Sequence, residues 1–261
     1  MQTARFSKHR PYSRLADNRQ QVRIAENIQL DESDLSLGGA TPFSTSDWPG
    51  KLCAVLFMQG CPWRCAYCHN KEFQPHGTSV YTLKDIETFL DARTNLLDGI
   101  VLSGGEPLAH RSLMTLVDTV TSRGFELGLH TGGYDTERLA ALLPRLDWIG
   151  IDYKTTFARY HEIVGGAADQ WSKRVRASFE LLARSGVPFE VRTTVDERHF
   201  DEALLEVCEK ELSELGISSW ILQVRNDYTE EGAPTVSTSS LKLISDYLSH
   251  RPDTRAILRS Q

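Results

Sequence analysis

The chain has 261 residues, of which 40% are hydrophobic and 25% are charged, and its formal net charge is −6. This composition is that of an ordinary globular protein, and the negative balance argues against nucleic acid as the main partner. No run of 18 apolar residues occurs, so the sequence predicts neither a transmembrane helix nor a membrane partner.

Residues 1–37 are polar and lack clear periodicity, and we interpret them as a poorly ordered N-terminal extension. Residues 1–25 hold six Lys or Arg against one Asp, which leaves open an organelle transit peptide or an electrostatic docking arm. Residues 38–261 are predicted to form the folded domain. The start of the chain lacks the apolar segment of a secretory signal, so we expect a cytoplasmic protein whose five cysteines form no disulfide framework.

From Gly38 onward, short apolar runs alternate with longer amphipathic stretches. The runs predict strands at Leu52–Met58, Gly99–Leu102, Glu126–His130, Trp148–Asp152, Phe189–Val195 and Trp220–Val224. The amphipathic stretches predict helices at Thr82–Ala92, Ser112–Arg123, Thr136–Leu143, Lys173–Ser185, Phe200–Leu215 and Ser239–His250. Such alternation implies an α/β fold with a parallel sheet and right-handed crossovers. Six units are too few for a closed eight-stranded barrel, so we predict a partial (β/α)6 TIM-like barrel, with a flat doubly wound sheet as the alternative.

The loop after the first predicted strand holds three of the five cysteines, spaced C-x3-C-x2-C: Cys61, Cys65 and Cys68. Thiolates are the usual ligands of iron–sulfur clusters, and a cubane held by only three of them leaves one iron open for a cofactor or substrate. We therefore predict that these cysteines bind metal. A structural zinc site that also uses His69 is the alternative, although adjacent Cys68 and His69 fit one tetrahedral ion poorly. Cys53 and Cys208 lie in a strand and a helix pattern, which predicts core residues.

Polar motifs follow other predicted strands. The second strand runs into Ser-Gly-Gly-Glu-Pro at Ser103–Pro107, where glycines allow a ligand close to the backbone and Glu106 can accept hydrogen bonds from an ammonium group. Taken alone, this motif is also compatible with an ordinary turn. Asp152 and Lys154 point to the same side of the fourth strand, although a surface ion pair of little energetic worth is the alternative. Arg192, on the fifth strand, suits bidentate binding of a carboxylate.

Together these motifs resemble the radical S-adenosylmethionine (SAM) superfamily, whose signature is the same cysteine loop with an aromatic residue, here Tyr67, before the last cysteine. Within the superfamily, residues 41–226 resemble the activating proteins of anaerobic ribonucleoside-triphosphate reductase, which are glycyl-radical-enzyme activases. The matching stretches are Ser46–Gly50 (SDWPG), Tyr67–Asn70 (YCHN), Phe89–Pro107, Gly124–Thr131 and Val187–Val195.

The resemblance implies a four-iron four-sulfur cluster whose open iron is chelated by SAM. It implies that reductive cleavage of SAM gives a 5′-deoxyadenosyl radical, which takes a hydrogen atom from a backbone glycine of the partner reductase, and that a flavodoxin or ferredoxin supplies the electron. The residues expected to bind SAM are Tyr67, Gly104, Gly105, Glu106, Thr131, Asp152, Lys154 and Arg192. Asp152 and Lys154 are also the candidates for a catalytic role.

One departure from the resemblance lies at the end of the third predicted strand. The chain has His130-Thr-Gly-Gly133 where these activases usually have Asp-Thr-Asn-Gly. In the formate-lyase activase, that Asp helps to hold a monovalent cation near SAM, which a neutral histidine does not do in the same way. His130 is either part of the site or simply a hydrogen-bonded histidine at a strand end. The change leaves open radical SAM chemistry on a small molecule or modified base, as in deazaguanine-forming synthases; a zinc-binding interaction module is the third alternative.

Overall fold

The structure, a computed structural model, describes residues 35–166, 168–228 and 233–259. The predicted extension, residues 1–37, lies outside these ranges except for its last three residues, of which Leu35 and Leu37 are buried. The chain divides into two compact units. The first comprises the described residues up to Cys61 together with Glu72–Gly128, and the second comprises Pro62–Lys71 and the described residues from Leu129 onward.

The first unit is built on strands that carry almost no polar side chains. Its elements are β1 (Leu37–Ser44), β2 (Cys53–Met58), α1 (Leu83–Asp91), β3 (Gly99–Gly104) and α2 (Leu113–Thr121). Strand β1 runs antiparallel to β2, and β2 runs parallel to β3, with Met58 opposite Gly104. Nearly every residue of β2 and β3 is buried, as expected for parallel strands in an α/β fold. Because β2 and β3 end side by side, the loops that follow them start at the same edge of the sheet.

The second unit continues the alternation of strands and helices. After β4 (Glu126–Thr131), which begins in the first unit, its elements are α3 (Thr136–Leu142), β5 (Trp148–Asp152), α4 (Tyr160–Val164), α5 (Ala168–Ser185), β6 (Phe189–Val195), α6 (Glu202–Glu214), β7 (Trp220–Val224), β8 (Asn226–Tyr228), β9 (Pro234–Val236), α7 (Thr238–His250) and β10 (Ala256–Arg259). Strands β5, β6, β7 and β10 are parallel neighbours in that order. Strands β8 and β9 form a separate antiparallel pair. No helix in the described part of the chain is long and apolar enough to cross a membrane.

All six predicted strands and all six predicted helices are present, and the predicted α/β class with parallel strands is confirmed. The largest difference in bounds is at α5, which begins at Ala168 rather than at Lys173. Five elements were not predicted from the sequence: β1, α4, β8, β9 and β10. Strand β1 was not predicted because its sequence, LGGATPFS, contains two glycines and a proline, which are rare in strands, so only its pairing with β2 reveals it.

Candidate functional site

The cysteine loop directly follows β2, with Cys61 in the first unit and the other two cysteines in the second. Cys65 and Cys68 lie on one turn, since the backbone N–H of Cys68 donates to the carbonyl of Cys65 at 3.2 Å. Cys65 is buried and Cys68 is half-buried. Burial raises the pKa of the Cys65 thiol to about 11, although the positive charge of Lys154 works in the opposite direction. A metal ion bound by Cys65 would therefore have to displace the proton of this thiol.

Trp63, between the first two cysteines, anchors the loop in the second unit. Its buried ring meets the rings of Tyr134, Tyr160 and Trp171 edge to face, with centroids 5.8–6.0 Å apart. Gly132 makes room for it, because a Cβ atom there would lie 2.1 Å from the indole ring. The role of Trp63 was not predicted from the sequence, although Gly132, which stands directly after β4 in place of the usual Asn, was a signal for it.

In the first unit, the carbonyl of Gly60 joins the start of the cysteine loop to the turn after β3. It accepts the backbone N–H of Glu106 at 3.1 Å and lies 2.9 Å from Nε2 of the buried His110. Because a carbonyl can only accept, His110 carries its proton on Nε2. The role of His110 was not predicted from the sequence either. The peptide that leads into Cys61 is thus held from two sides.

Gly104 and Gly105 pack against the chain itself. A Cβ atom at Gly104 would lie 2.4 Å from the backbone nitrogen of Met58, and one at Gly105 would lie 2.1 Å from the carbonyl oxygen of Gly60. The fold therefore requires glycine at both positions, whether or not a ligand binds nearby.

Glu106, which follows these glycines, is buried at 2% exposure, so it is not the solvated acid of an ordinary turn. Its Oε1 accepts the backbone N–H of Leu108 at 3.1 Å. The fold therefore places a carboxylate at the edge where β2 and β3 end.

In the second unit, Asp152, Lys154 and Arg192 come together at the carboxyl end of β5, where Arg192, in the middle of β6, lies opposite Asp152. Asp152 Oδ2 lies 3.3 Å from Lys154 Nζ, and Asp152 Oδ1 lies 3.2 Å from Arg192 Nη2. The side chains of Lys154 and Arg192 are only 13% and 11% exposed, which excludes the alternative of a simple surface ion pair.

The charges of these three groups are coupled. Burial works to raise the pKa of Asp152, but the charges of Lys154 and Arg192 outweigh it and hold this pKa below its usual value. Burial likewise works to lower the pKa of Lys154, and the Asp152 carboxylate keeps that pKa well above its ordinary range. At neutral pH the Asp152 carboxyl group and the Lys154 amino group are therefore both charged.

His130 is part of the same group of side chains. Its Nε2 lies 3.2 Å from Nη1 of Arg192, and its ring meets Trp148 edge to face with centroids 5.5 Å apart. His130 is thus a hydrogen-bonded histidine at a strand end, and its partner, Arg192, is a residue expected to bind SAM.

Tyr67 and Thr131, the remaining residues expected to bind SAM, lie in the second unit and are buried. The Tyr67 hydroxyl is 3.5 Å from the carbonyl oxygen of Lys154, so this ring lies beside the ion pair. Thr131 Oγ1 accepts the backbone N–H of Gly133 at 3.0 Å and so shapes the turn after β4.

The donor set fits the predicted cofactors. Three thiols on one short loop suit an iron–sulfur cluster, while a buried carboxylate and buried cations suit the amino and carboxylate groups of an amino acid. Among the described residues, no three His, Cys, Asp or Glu side chains are grouped as ligands of one ion, so the metal-ligand assignment stays a prediction based on spacing. His69 Nε2 lies 3.5 Å from the backbone nitrogen of Asn226, where it accepts the N–H, and this weighs against its use as a zinc ligand.

Comparison with known sequences identifies the same superfamily as the sequence motifs do. A sequence model of the radical SAM superfamily matches residues 55–210. A protein of Methanocaldococcus jannaschii, provisionally named a glycyl-radical enzyme activating enzyme, is 30% identical over 175 residues, which are 65% of this chain and 72% of that protein. A protein of Haemophilus influenzae with the same provisional name is 29% identical over 130 residues, 48% of this chain and 49% of that protein.

Among solved structures, SuiB of Streptococcus suis bound to the precursor peptide SuiA is similar, with a TM-score of 0.59 at 12% identity. The match covers 78% of this chain and 48% of SuiB, so the chain spans about half the length of that protein, as it does of the Haemophilus protein. This likeness shows the fold alone, and it confirms the predicted partial (β/α)6 barrel.

Proposed function

Because the chain belongs to the radical SAM superfamily, whose cofactors are a four-iron four-sulfur cluster and SAM, we propose that it activates a glycyl radical enzyme. When bound, these cofactors supply a one-electron cleavage of SAM that yields a radical able to take a hydrogen atom from carbon. The observation that carries the proposal is the similarity to the Methanocaldococcus protein, which extends over 72% of that protein and far beyond the cysteine loop. The resemblance over residues 41–226 as a whole favours an anaerobic ribonucleoside-triphosphate reductase as the partner.

The cysteine loop would hold the cluster through Cys61, Cys65 and Cys68, leaving one iron without a protein ligand. In the first unit, the buried carboxylate of Glu106 would accept hydrogen bonds from the ammonium group of SAM. Gly104 and Gly105 contribute indirectly, since they allow the turn that carries Glu106 to lie against the end of β2.

In the second unit, Lys154 and Arg192 would bind the carboxylate of SAM, and Asp152 would orient them both. Lys154 stays protonated at neutral pH and Asp152 stays ionised, so neither is suited to give or take a proton in the reaction. Transfer of a hydrogen atom requires no such proton transfer. We therefore assign these two candidates an electrostatic and positioning role.

A reduced flavodoxin or ferredoxin is the proposed electron donor, and the cytoplasm the proposed location. Cys53, Cys61, Cys65, Cys68 and Cys208 are all free thiols, which suits a reducing compartment.

The experiment that tests the proposal is anaerobic. The protein is loaded with iron and sulfide to about four irons per chain, reduced, and mixed with SAM and a candidate reductase. We expect a glycine-centred doublet in the electron paramagnetic resonance spectrum. A reductase variant with Ala at the radical glycine, and Cys68→Ala in this chain, are the matched controls and should give no doublet. If SAM is cleaved without a doublet on any glycyl radical enzyme, the small-molecule alternative replaces the proposal.

A further inference from the structure

Arg192 makes an unusual set of contacts. Nη2 donates to the carbonyl of Gly150 at 3.4 Å and to Asp152 Oδ1 at 3.2 Å, and Nη1 is 3.2 Å from His130 Nε2. Its Nε atom is buried and has no hydrogen-bond partner among the residues that the structure describes. A buried charged donor without an acceptor is costly, and a ligand oxygen would remove that cost.

The contact with Arg192 defines the chemical state of His130. A guanidinium group has five N–H donors, no acceptor, and keeps its charge at any physiological pH. His130 Nε2 must therefore be the acceptor, which means that the imidazole is neutral and carries its proton on Nδ1. His130 orients the guanidinium without adding charge.

The charges of the group then do not balance. Asp152 is the counter-ion of both Lys154, at 3.3 Å, and Arg192, at 3.2 Å. With His130 neutral, these four side chains together carry two positive charges and one negative charge. The four side chains therefore have a net charge of +1. Arg192, one of the two cations, also has an Nε donor without a hydrogen-bond partner among the described residues.

We propose that His130 determines the ligand charge that this group accepts: as a neutral acceptor it positions Arg192 while leaving one positive charge for a single ligand carboxylate. The inference deepens the proposed function and rests on its SAM site, since the carboxylate in question is that of the methionine part of SAM. An acid at position 130 would hold Arg192 as well, but it would cancel the surplus charge unless a bound monovalent cation offset it, as the resemblance to the formate-lyase activase implies for the Asp found there.

The test is equilibrium binding of SAM to the cluster-loaded protein, in the absence of reductant, partner enzyme, Na+ and K+. His130→Gln keeps a neutral acceptor, and its dissociation constant should stay within about 3-fold of that of the parent protein. His130→Asp adds a negative charge, and His130→Leu removes the acceptor; each should weaken SAM binding about 10-fold, the scale of one charge-assisted hydrogen bond.

Binding of a second ligand distinguishes a charge effect on the carboxylate of SAM from a general disruption of the site. S-adenosyl-3-methylthiopropylamine lacks the carboxylate, so His130→Asp should bind it at least as tightly as the parent protein does. His250→Asp places the same charge at the exposed end of α7 and should leave both affinities unchanged.

The proposal is overturned if His130→Asp binds SAM like the parent protein, or if it loses both ligands equally with its iron content intact. Because no partner enzyme is present, failure of the glycyl radical experiment would leave this result standing.

Discussion

Gly105→Ala tests how tightly the turn after β3 is fitted to the cysteine loop. The new Cβ atom would lie 2.1 Å from the carbonyl oxygen of Gly60 and 2.6 Å from its carbonyl carbon. Nonbonded carbon and oxygen atoms need about 3.5 Å, so the Gly60 carbonyl oxygen has to move by roughly 1.4 Å. A flexible side chain could give way, but this neighbour is backbone.

The free-energy cost follows from what that movement breaks. The Gly60 carbonyl would lose the hydrogen bonds from Glu106 and His110, each worth about 1 kcal/mol. Overpacking adds about 1–3 kcal/mol, so we expect a total loss of about 3–5 kcal/mol in the free energy of unfolding. Since the displaced peptide leads into Cys61, cluster assembly should suffer as well.

Two assays measure the loss of stability and the loss of cluster assembly separately. Urea unfolding of the iron-free protein gives the free energy, and iron content after anaerobic reconstitution gives cluster assembly. Gly186→Ala is the matched control, because Gly186 has a φ of +74° but open space around it. It should cost about 1–2 kcal/mol from backbone strain and leave iron content unchanged. A Gly105→Ala protein with normal stability and full iron content would contradict this prediction.

Further predictions concern the cysteines, the ion pair and the aromatic anchor. Cys65→Ala should abolish iron binding, whereas Cys208→Ala should keep it at a cost of about 1 kcal/mol in stability; iron analysis of both proteins decides. Asp152→Asn should lower the stability of the iron-free protein at pH 7. Because the folded pKa of Asp152 lies below its usual value of 3.8, this deficit should persist at pH 5 and shrink only as the pH falls below that value; unfolding measured across this range checks it. Trp63→Ala should cost about 3–5 kcal/mol and speed the loss of iron to a chelator, with Trp63→Phe much milder.

The central strands were predictable because their sequences are continuous apolar runs. Trp148–Asp152, Phe189–Val195 and Trp220–Val224 have the same bounds in the structure as in the prediction. Strand β10 (Ala256–Arg259) has only four residues, and its pairing with β7 depends on contacts distant in sequence. Short segments of this kind carry too little periodicity to be recognised.

The residues of the candidate site were predictable where they belong to short sequence motifs. The spacing of the cysteines and the alternation along β5 located the loop and the ion pair of Asp152 and Lys154. Trp63 and His110 were missed because their partners, Gly132 and the Gly60 carbonyl, are 69 and 50 positions away along the chain, and only the fold brings them together. Residues that position other residues leave little trace in local sequence.

The shared carbonyl of Gly60 has a thermodynamic consequence. The same oxygen accepts from Glu106, expected to bind SAM, and from His110, while the next residue is the first predicted iron ligand. Metal loading that orders this peptide also orders the turn that carries Glu106. The two binding equilibria are then linked, and by reciprocity SAM should tighten the binding of iron by the same free energy with which iron tightens the binding of SAM.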